Sequence, residues 1–587
     1  MNRPTRRPST CRRFALRPLP LALAIAITAS TLSARAGDSF TNVQQVVGAT
    51  ISNPNANTTN VNQSANNAYI QAGGFNIAAQ DTVKITQPGS TSNLLIQVTG
   101  YDPSSILGQL QANGRVFLSN PNGVLFGAGA RIDVGSLVAT NLSMDTEEFM
   151  RRRIRLFDNG NSRGSVVNAG AIKADGTVAL VGTEVSNLGS IEASRVGMAA
   201  LSNVVVDVEG DGLIFFHMAG ERAGAKLLQL GSITADGGLV ELRAQSRGTV
   251  ADTVLNMDGI IQARSIGTRN GTVIIDGGDT GITKVTGTID VQGASTGETG
   301  GTVQVLGDRV ALGGTALIDA SGHSGGGTVL IGGNYQGSGD ERRASHARVA
   351  EGATIKANAL TNGDGGTVVV WADGTTAFQG LIEAKGGAQS GNGGTVEVSG
   401  KQQLAFWGTV DASAAHGALG SLLLDPANIF VVATAGDATG TLSADFDVLD
   451  NTPSSAGDYS VLASSINAST ANITLAATNN ITVNAAIDRS GTAGASGRSL
   501  TLTAGNNITV NQSIKTNNGD LTLNANSGAG TITLGADLNA GTESIDLNGK
   551  VVLSSDVSLA AGDTIRLRST LDSDSSATAR NFSATAA

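Results

Sequence analysis

A tight turn between two short apolar runs occupies residues 116–126, which read Val116-Phe117-Leu118-Ser119-Asn120-Pro121-Asn122-Gly123-Val124-Leu125-Phe126. Proline fixes its own φ, while asparagine and glycine enter the left-handed region at low cost, so Asn-Pro-Asn-Gly is strong turn chemistry. The flanking runs are rich in branched and aromatic residues and are short enough to be β-strands. The stretch therefore predicts a strand, a sharp turn and a second strand.

Short repeats of the same alternating kind continue through much of the chain. The threonines of a recurring Gly-Thr-Val triplet are 30, 26, 39 and 28 residues apart. A second repeat, Gly-x-Ile/Val-x-Ala/Val, begins earlier in the chain and also occurs between and after the triplets. Apolar and polar residues alternate within each copy before a Gly- or Asn-rich turn, which is typical of half-buried strands. The triplets begin at Gly271, Gly301, Gly327, Gly366 and Gly394, and copies of the second repeat begin at Gly170, Gly189, Gly231, Gly259, Gly287, Gly380 and Gly408.

These repeats predict the fold class. No segment between them has the length and periodicity of a crossover helix, and parallel strands with a period of roughly 20 to 30 residues and no helices form a β-solenoid. We therefore predict an all-β, parallel β-helix in which Val, Ile, Leu and Ala point inward and successive coils lie about 4.8 Å apart. At roughly 25 residues per coil, the mature chain would form about 20 to 25 coils.

Two polar segments predict short excursions from the coils. Within residues 145–165, the segment Glu147–Phe157 has the best helical pattern outside the N-terminal leader and contains Arg151, Arg152, Arg153 and Arg155. We interpret these arginines as a solvated face, with a basic binding patch as the alternative. Residues 334–348 read as a polar loop that accounts for the 39-residue interval between triplets.

The turn belongs to a longer ordered pattern. Phe75-Asn76-Ile77 precedes it and Ala130–Thr140 follows it. Together, residues 37–145 resemble the secretion domain of two-partner secretion exoproteins, the filamentous haemagglutinin-like family. The resemblance implies a right-handed β-helix. It also implies a partner, an outer-membrane β-barrel transporter with periplasmic domains, which passes the chain to the cell surface or the medium.

The resemblance assigns a secretion motif to Asn120, Pro121, Asn122 and Gly123. A second Asn-Pro-Asn occurs at Asn53–Asn55 and is followed by alanine. Part of the family has leucine at that following position. We therefore interpret the earlier copy as an ordinary asparagine-rich turn.

Residues 1–36 have the pattern of a secretory signal peptide, with an arginine-rich head, an apolar run from Leu19 to about Leu32, and small residues at Ala34 and Ala36. The apolar run is shorter than the ~20 residues of a spanning helix, and no later stretch is suited to span, so we predict no transmembrane span after its removal. Cleavage would remove seven arginines and change the formal charge from -10 to -17, which disfavours nucleic acid as a partner. The only cysteine, Cys11, lies in this segment, so the mature chain forms no disulfide.

Composition divides the chain further. We expect the secretion domain and first coils at 37–290, the Gly-Thr-Val β-helix at 291–420, an irregular junction at 421–465 and a second β-repeat region at 466–587. The junction begins where Leu422–Ile429 interrupts the glycine rhythm, and 437–460 is acidic and loop-like. The Ser- and Ala-rich end resembles no recognisable cap, and we interpret the chain as a short or truncated member of the family.

Candidate catalytic chemistry is sparse. β-Solenoids include polysaccharide lyases and hydrolases, and the similar repeat positions of Asp290, Asp319, Glu383 and Asp411 make an exported carbohydrate-active enzyme the alternative hypothesis. An active site needs residues that break the repeat, however, and these acids obey it. We therefore predict no catalytic residue.

The remaining residues with potential for binding also favour structural roles. No two of His217, His323, His346 and His416 stand at metal-ligand spacing, so we expect no metal and no cofactor, and they give no support for a haem-scavenging relative. Trp371 and Trp407 lie in repeats, where packing is favoured over a carbohydrate platform. Asn-x-Ser/Thr sequons are frequent, but strand and turn composition generates them without glycosylation.

The first functional hypothesis is therefore a secreted or surface-exposed, adhesin-like exoprotein that is not an enzyme. Its secretion domain would engage the outer-membrane transporter, and a host-cell or surface glycan or protein would be its receptor. The sequence does not identify that receptor.

Overall fold

The computed structural model describes residues 39–206, 216–218, 224–246, 253–434, 459–490, 497–516 and 518–586, all within one compact unit, Ala36–Ala587. The predicted signal peptide at 1–36, and the predicted acidic loop at 437–460 up to residue 458, lie outside the described residues. The predicted fold class is confirmed, because parallel strands of successive coils build three long sheets, A, B and C.

Sheet A has 19 strands in the described residues, and its first strand runs antiparallel to the next. Its strands are Phe40–Val47, Asn67–Phe75, Asn93–Val98, Arg115–Ser119, Ser136–Thr140, Thr177–Gly182, Arg195–Ala200, Leu239–Ala244, Thr272–Asp276, Thr302–Leu306, Thr328–Ile331, Thr367–Ala372, Thr395–Gly400, Ser421–Leu424, Asn472–Ala477, Leu500–Ala504, Leu521–Ala525, Ile545–Asn548 and Ile565–Leu567.

Sheets B and C form the other two sides of the coils. Sheet B consists of Ala49–Asn55, Thr58–Gln63, Thr82–Thr86, Gln109–Ala112, Arg131–Val134, Ala171–Ala174, Ser190–Glu192, Ser232–Thr234, Ile260–Gln262, Thr288–Asp290, Leu317–Asp319, Thr354–Lys356, Leu381–Glu383 and Thr409–Asp411. Sheet C consists of Ser104–Ile106, Val124–Phe126, Val166–Asn168, Glu184–Asn187, Lys226–Gln229, Thr253–Met257, Ile282–Val285, Arg309–Leu312, His346–Val349, Thr375–Phe378, Gln403–Phe406, Ile429–Val432, Val461–Leu462, Ile481–Val483, Ile508–Val510, Thr531–Leu534, Lys550–Leu553 and Leu571–Ser573.

The Gly-Thr-Val triplets stack in register on sheet A. Thr302 pairs with Thr272 on one side and with Thr328 on the other, although the two intervals differ in length. The valine after each threonine points inward and is fully buried, which gives the core its repeating apolar column. Each interval between triplets is therefore one coil, and loops absorb the differences in length.

The glycines before these threonines form a column of close backbone contacts. A Cβ on Gly327 would lie 2.1 Å from the carbonyl oxygen of Gly301, and one on Gly366 would lie 2.1 Å from the carbonyl oxygen of Gly327. Gly394 has the same relation to Gly366. A side chain at these corners would push adjacent coils apart, so the corner requires glycine.

The predicted 20 to 25 coils are too many. After the antiparallel first strand, 18 strands remain in sheet A, and a spacing of about 4.8 Å makes the stack about 80 Å long. The prediction assigned nearly every residue to a coil, whereas the structure uses residues 141–165 and 334–345 for excursions. Ala49–Asn55 also pairs antiparallel with Thr58–Gln63 at the start of sheet B and adds no coil.

The helix predicted at Glu147–Phe157 is much shorter in the structure. Helix α1 spans only Thr146–Met150, and the chain then reaches Arg152, whose φ of 64° ends the helix. Arg155–Phe157 is instead a strand of the antiparallel sheet D, because its alternating pattern can pair with Asn203–Val206. The other strands of sheet D are Ser143–Met144 and Phe216–Met218.

The excursion at 141–165 has a small core of its own. The ring of Phe149 on α1 meets the ring of Phe117 edge to face, with centroids 5.0 Å apart. Phe117 belongs to sheet A and points outward from the coils, together with Leu95 and Val138. The excursion therefore covers an apolar outer face, while its arginines Arg151 and Arg153 are mainly exposed and pair with Glu148.

A second interruption lies at the junction. Helix α2, Ala463–Ala468, contacts the last strand of sheet B, Thr409–Asp411, and the first strand of a new sheet E, Ile487–Asp488. The helix thus replaces one strand of that side of the coils. Sheet E continues through Ile514–Lys515, Leu538–Asn539, Val557–Ala561 and Phe582–Ala586.

The remaining helical elements among the described residues are the short 3-10 turns Tyr335–Gly337 and Asn526–Gly528. No helix in the described part of the chain has the length and apolar character needed to cross a membrane.

The glycine column can be tested with Gly366→Ala. The new methyl group would meet the Gly327 carbonyl oxygen, and we expect the free energy of unfolding to fall by about 2–4 kcal/mol, measured by urea denaturation. Gly89→Ala is the control, because a Cβ there meets no atom within 4 Å, and its effect should be within about 0.5 kcal/mol. Equal losses in the two variants would contradict the steric argument.

Candidate functional site

The Asn-Pro-Asn-Gly turn joins strand Arg115–Ser119 of sheet A to strand Val124–Phe126 of sheet C. The Gly123 N–H donates to the Asn120 carbonyl oxygen at 2.9 Å, which closes a four-residue turn. Gly123 has a φ of 110°, and a Cβ on it would lie 2.8 Å from the Ser165 carbonyl oxygen. Both the backbone angle and the close approach of the next coil therefore require glycine.

The two asparagines of the turn hold the preceding coil. Asn120 is fully buried, and its Nδ2 donates to the Asp102 carbonyl oxygen and to Ser104 Oγ, each at 3.0 Å. Asn122 Nδ2 donates to the Gly100 carbonyl oxygen at 2.8 Å, and its N–H donates to Asn120 Oδ1 at 3.0 Å. An apolar side chain of similar size would remove these donors from the Asp102 and Gly100 carbonyl oxygens and from the buried Ser104 hydroxyl.

The following coil rests on the opposite side of the turn. The Pro121 carbonyl oxygen accepts from the Arg163 N–H at 2.8 Å, and the Val124 N–H donates to the Ser165 carbonyl oxygen at 3.0 Å. Arg163 and Ser165 are the residues with which the chain returns from the excursion. The turn thus connects three consecutive coils and fixes the point at which the excursion ends.

A ladder of buried amides continues from this region along sheet C. Asn168 Nδ2 donates to Asn187 Oδ1 at 2.8 Å, and Asn187 Nδ2 donates to Gln229 Oε1 at 2.9 Å. All three side chains are fully buried. We did not select these residues from the sequence, although each stands two positions before a glycine of the second repeat, and that spacing is the signal that identifies them.

The earlier Asn-Pro-Asn lies in a different setting. Asn53–Asn55 ends a strand of the antiparallel hairpin at the N-terminal end of sheet B, and its side chains are exposed. Asn55 Oδ1 accepts from the Asn57 N–H at 3.0 Å, a local contact within the hairpin turn. The two copies of the tripeptide therefore have different environments.

Comparison with known proteins identifies the domain that contains the turn. Residues 34–289 match the TPS secretion domain family. Residues 34–289 therefore form a TPS secretion domain. The crystal structure of the HMW1 secretion domain from Haemophilus influenzae is similar, with 26% sequence identity and a TM-score of 0.55, and the alignment covers 65% of this chain and 100% of that chain.

Similar proteins of known name support the same assignment of the domain. A heme/hemopexin-binding protein of Haemophilus influenzae (strain ATCC 51907 / DSM 11121 / KW20 / Rd) is 30% identical over 224 residues, which cover 35% of this chain and 23% of the relative. A second heme/hemopexin-binding protein of Haemophilus influenzae is 34% identical over 113 residues, covering 19% and 11%. The chain therefore spans less than a quarter of the length of these relatives. The spacing of the histidines in the sequence did not indicate a similarity to heme/hemopexin-binding proteins.

The four acids considered for catalysis lie in one column on the outer face of sheet B. Asp290 is opposite Asp319, and Glu383 is opposite Asp411, with Lys356 between the two pairs. Their spacing is that of adjacent coils. The secretion domain ends near the first of these acids, and the others follow it.

Basic side chains balance this column. Arg264 Nη2 lies 2.7 Å from Asp290 Oδ2, and Lys385 Nζ lies 2.5 Å from Glu383 Oε1 and 3.6 Å from Asp411 Oδ2. The N–H of the residue two positions after Asp290, Asp319 and Asp411 donates to the aspartate side chain in each case. The acids therefore form a repeated arrangement of ion pairs and turns.

The tryptophans are packed against protein groups. Trp371 is 4% exposed and lies under the loop at 334–345, where a Cβ on Gly337 would be 2.8 Å from its Cζ2. Trp407 Nε1 donates to the Ser460 carbonyl oxygen at 3.1 Å. The loop at 334–345 therefore covers the Trp371 ring, and Trp407 is half-buried.

The histidines are dispersed. His323 and His346 each contact the hydroxyl of a neighbouring serine, and burial lowers the pKa of His346. His416 is exposed, and the side chain of His217 lies outside the described residues. In the part of the chain that the structure describes, no three His, Cys, Asp or Glu side chains come together as a metal site.

The predicted polar loop at 334–348 ends earlier in the structure, because His346–Val349 is a strand of sheet C, and residues 334–345 fold back onto sheet A. The Gln336 N–H donates to Glu397 Oε2 at 2.8 Å, and Arg343 pairs with Asp373 at 3.1 Å. Glu397 is fully buried, and burial raises its pKa to about 7. This carboxyl group gave no signal in the sequence, since it stands at an outward position of a Gly-Thr-Val strand.

The importance of the motif for stability can be tested with Asn120→Ala. Because this change leaves the Asp102 carbonyl oxygen and the Ser104 hydroxyl without their buried donor, we expect a loss of about 1–3 kcal/mol in unfolding free energy. Urea denaturation measures it. Asn55→Ala in the exposed copy is the matched control and should have little effect. A similar loss in both variants would contradict the assignment.

Glu397 predicts a pH dependence. Its pKa is about 7 in the folded chain against 4.5 for an unperturbed group, so folding takes up a proton between these values and stability falls as pH rises through the interval. Above pH 7 we expect Glu397→Gln to be more stable than the wild-type chain by up to about 3 kcal/mol, and the difference should shrink as pH falls towards 4.5. Thermal unfolding at several pH values measures it. The exposed Glu147→Gln should show no such trend.

Proposed function

We propose that this chain is exported by the two-partner route and displayed as an adhesin-like β-helix. Its secretion domain would be recognised by an outer-membrane β-barrel transporter with periplasmic domains. The remaining coils would follow it to the cell surface or the medium. The observation that carries this proposal is the buried Asn-Pro-Asn-Gly turn, which connects three coils inside a TPS secretion domain.

Folding outside the cell would give the export a direction. Each newly emerged coil can pair its strands with the preceding coil and bury its inward Val, Ile and Leu side chains, and this burial is favourable without nucleotide hydrolysis. The chain after Cys11 contains no cysteine, so disulfides cannot trap it in the periplasm. A signal peptide at residues 1–36 would deliver it there.

Within this proposal, different segments of the chain have different roles. The transporter would recognise residues 37–290, and the coils at 291–420 would form the exposed β-helix. The junction at 421–465 and the second repeat region at 466–587 would extend it. The similarity to the TPS secretion domain supports the first of these assignments.

A binding role is preferred over the alternative, an exported carbohydrate-active enzyme. Asp290 is paired with Arg264, Glu383 is paired with Lys356 and Lys385, and Trp371 is covered. A receptor on host cells or another surface, either a glycan or a protein, would be the ligand. Incubation of the purified chain with polyuronates and host glycans tests the choice, because depolymerisation of any of them would support the enzyme instead.

Export can be tested in cells that carry the chain together with its transporter. We expect Asn120→Ala and Gly123→Val to reduce the amount of chain at the surface and in the medium several-fold, because the turn can no longer hold its neighbouring coils. Immunoblots of surface, medium and periplasmic fractions measure the distribution. Asn55→Ala should be exported normally. Normal surface amounts of both motif variants would contradict the proposal.

A further inference from the structure

Two arginines are enclosed within the second repeat region. Arg489 and Arg498 are both 0% exposed and stand first among the large, fully buried side chains of the described residues. Burial lowers the pKa of Arg489 only to about 9, so its guanidinium is charged at neutral pH. The interior of one coil therefore contains two adjacent positive charges.

Backbone carbonyl oxygens satisfy some of the donors. Both guanidinium groups reach the Ser469 carbonyl oxygen, just beyond the end of α2, which places them side by side. The acceptors of Arg489 are the carbonyl oxygens of Ala471 at 2.6 Å, Ser499 at 2.8 Å, Arg498 at 3.2 Å and Ser469 at 3.4 Å, and those of Arg498 are Asn467 at 3.3 Å and Ser469 at 3.5 Å.

One edge of Arg498 has no hydrogen-bond partner among the described residues. Its Nε and Nη2, and Nε of Arg489, are buried and have no hydrogen-bond partner among the described residues. Nε and Nη2 lie on the same edge of a guanidinium, and this edge binds two oxygens of a carboxylate or phosphate side by side. This unpaired edge therefore has the donor arrangement of an oxyanion site.

The nearest negative charge does not fill this edge. Burial lowers the pKa of Arg498, and the negative charge of Asp488 opposes this shift. The Oδ1 atom of Asp488 accepts from the N–H and the hydroxyl of Ser490. No described carboxylate forms an ion pair with Arg489 or Arg498. Two adjacent buried charges without an ion-paired carboxylate are destabilising, so the arrangement calls for an anion.

The pair also breaks the repeat. Asp488 pairs with Lys515 of the next coil, so the counterpart of Arg489 is Thr516. Gly519 packs on the backbone of Arg498, since a Cβ there would lie 2.3 Å from its carbonyl carbon. The next coil thus closes with small residues at the same places. Arginine at these positions is therefore not a requirement of the fold.

We propose that Arg498 and Arg489 hold a small oxyanion inside the coil next to α2. Two oxygens of the ion would accept from Nε and Nη2 of Arg498, and the guanidinium of Arg489 would supply a second positive charge. This site is independent of export through the secretion domain. Inorganic phosphate is the probe that matches the donor set.

The experiment compares thermal unfolding of the purified full chain in phosphate and in chloride at equal ionic strength. Binding to the folded chain alone raises the unfolding temperature progressively with ligand concentration, and we expect a rise of several degrees with phosphate. Arg498→Met should abolish this dependence, and Arg498→Lys should lose most of it because lysine has no bidentate edge. Arg566→Met, at an exposed arginine, should retain it in full.

A second measurement does not depend on variants that fold. The wild-type chain, equilibrated with phosphate, dialysed and then denatured, should release about one phosphate per chain in ion chromatography, as expected for a single site. The proposal is wrong if no anion is released and phosphate leaves the unfolding temperature unchanged. It is also wrong if Asp488→Asn destabilises the chain as much as Arg498→Met, because Asp488 would then be the partner.

Discussion

The close approach of backbone at the glycine corners is the constraint on which the structure depends. At Gly301, Gly327, Gly366 and Gly394, a Cβ would lie only 2.1–2.3 Å from a carbonyl oxygen of the preceding coil. This contact holds the strands at the spacing that parallel hydrogen bonding needs. Because the glycines fix the start of each strand, the outward threonines and inward valines of successive coils are in register.

The Asn-Pro-Asn-Gly turn meets the same constraint by other means. It lies where an excursion of more than twenty residues leaves and rejoins the coils, so backbone pairing alone does not set the point of return. The side chains of Asn120 and Asn122 bind the preceding coil. The carbonyl oxygen of Pro121 accepts a hydrogen bond from the following coil, which also packs closely against Gly123. At this turn, side-chain amides form the hydrogen bonds between coils that backbone groups form in regular strands. The turn therefore needs two asparagines for these bonds, together with a proline and a glycine for its backbone geometry.

Much of the fold could be predicted because its signal is local and repeated. Alternation in the Gly-Thr-Val strands identifies the inward residues, and the resemblance at 37–145 agrees with the longer TPS match at 34–289. The extent of α1 could not be predicted, because the pairing of Arg155–Phe157 with Asn203–Val206 depends on residues far away in sequence. Glu397 and Arg498 escaped notice for a related reason. Their burial is imposed by a loop and by a helix that cover outward or corner positions.

Thr272, Thr302, Thr328 and Thr367 stack in adjacent strands. The spacing between coils along the axis therefore does not depend on the number of residues in each coil. The interval between the last two includes the loop at 334–345, yet the strands pair as elsewhere. Loop-closure entropy grows only slowly with length, so such a loop adds little cost once its ends are held. A foreign peptide inserted at the exposed residues 338–340 would therefore be presented at a fixed position along the β-helix axis, while the rest of the loop still covers Trp371.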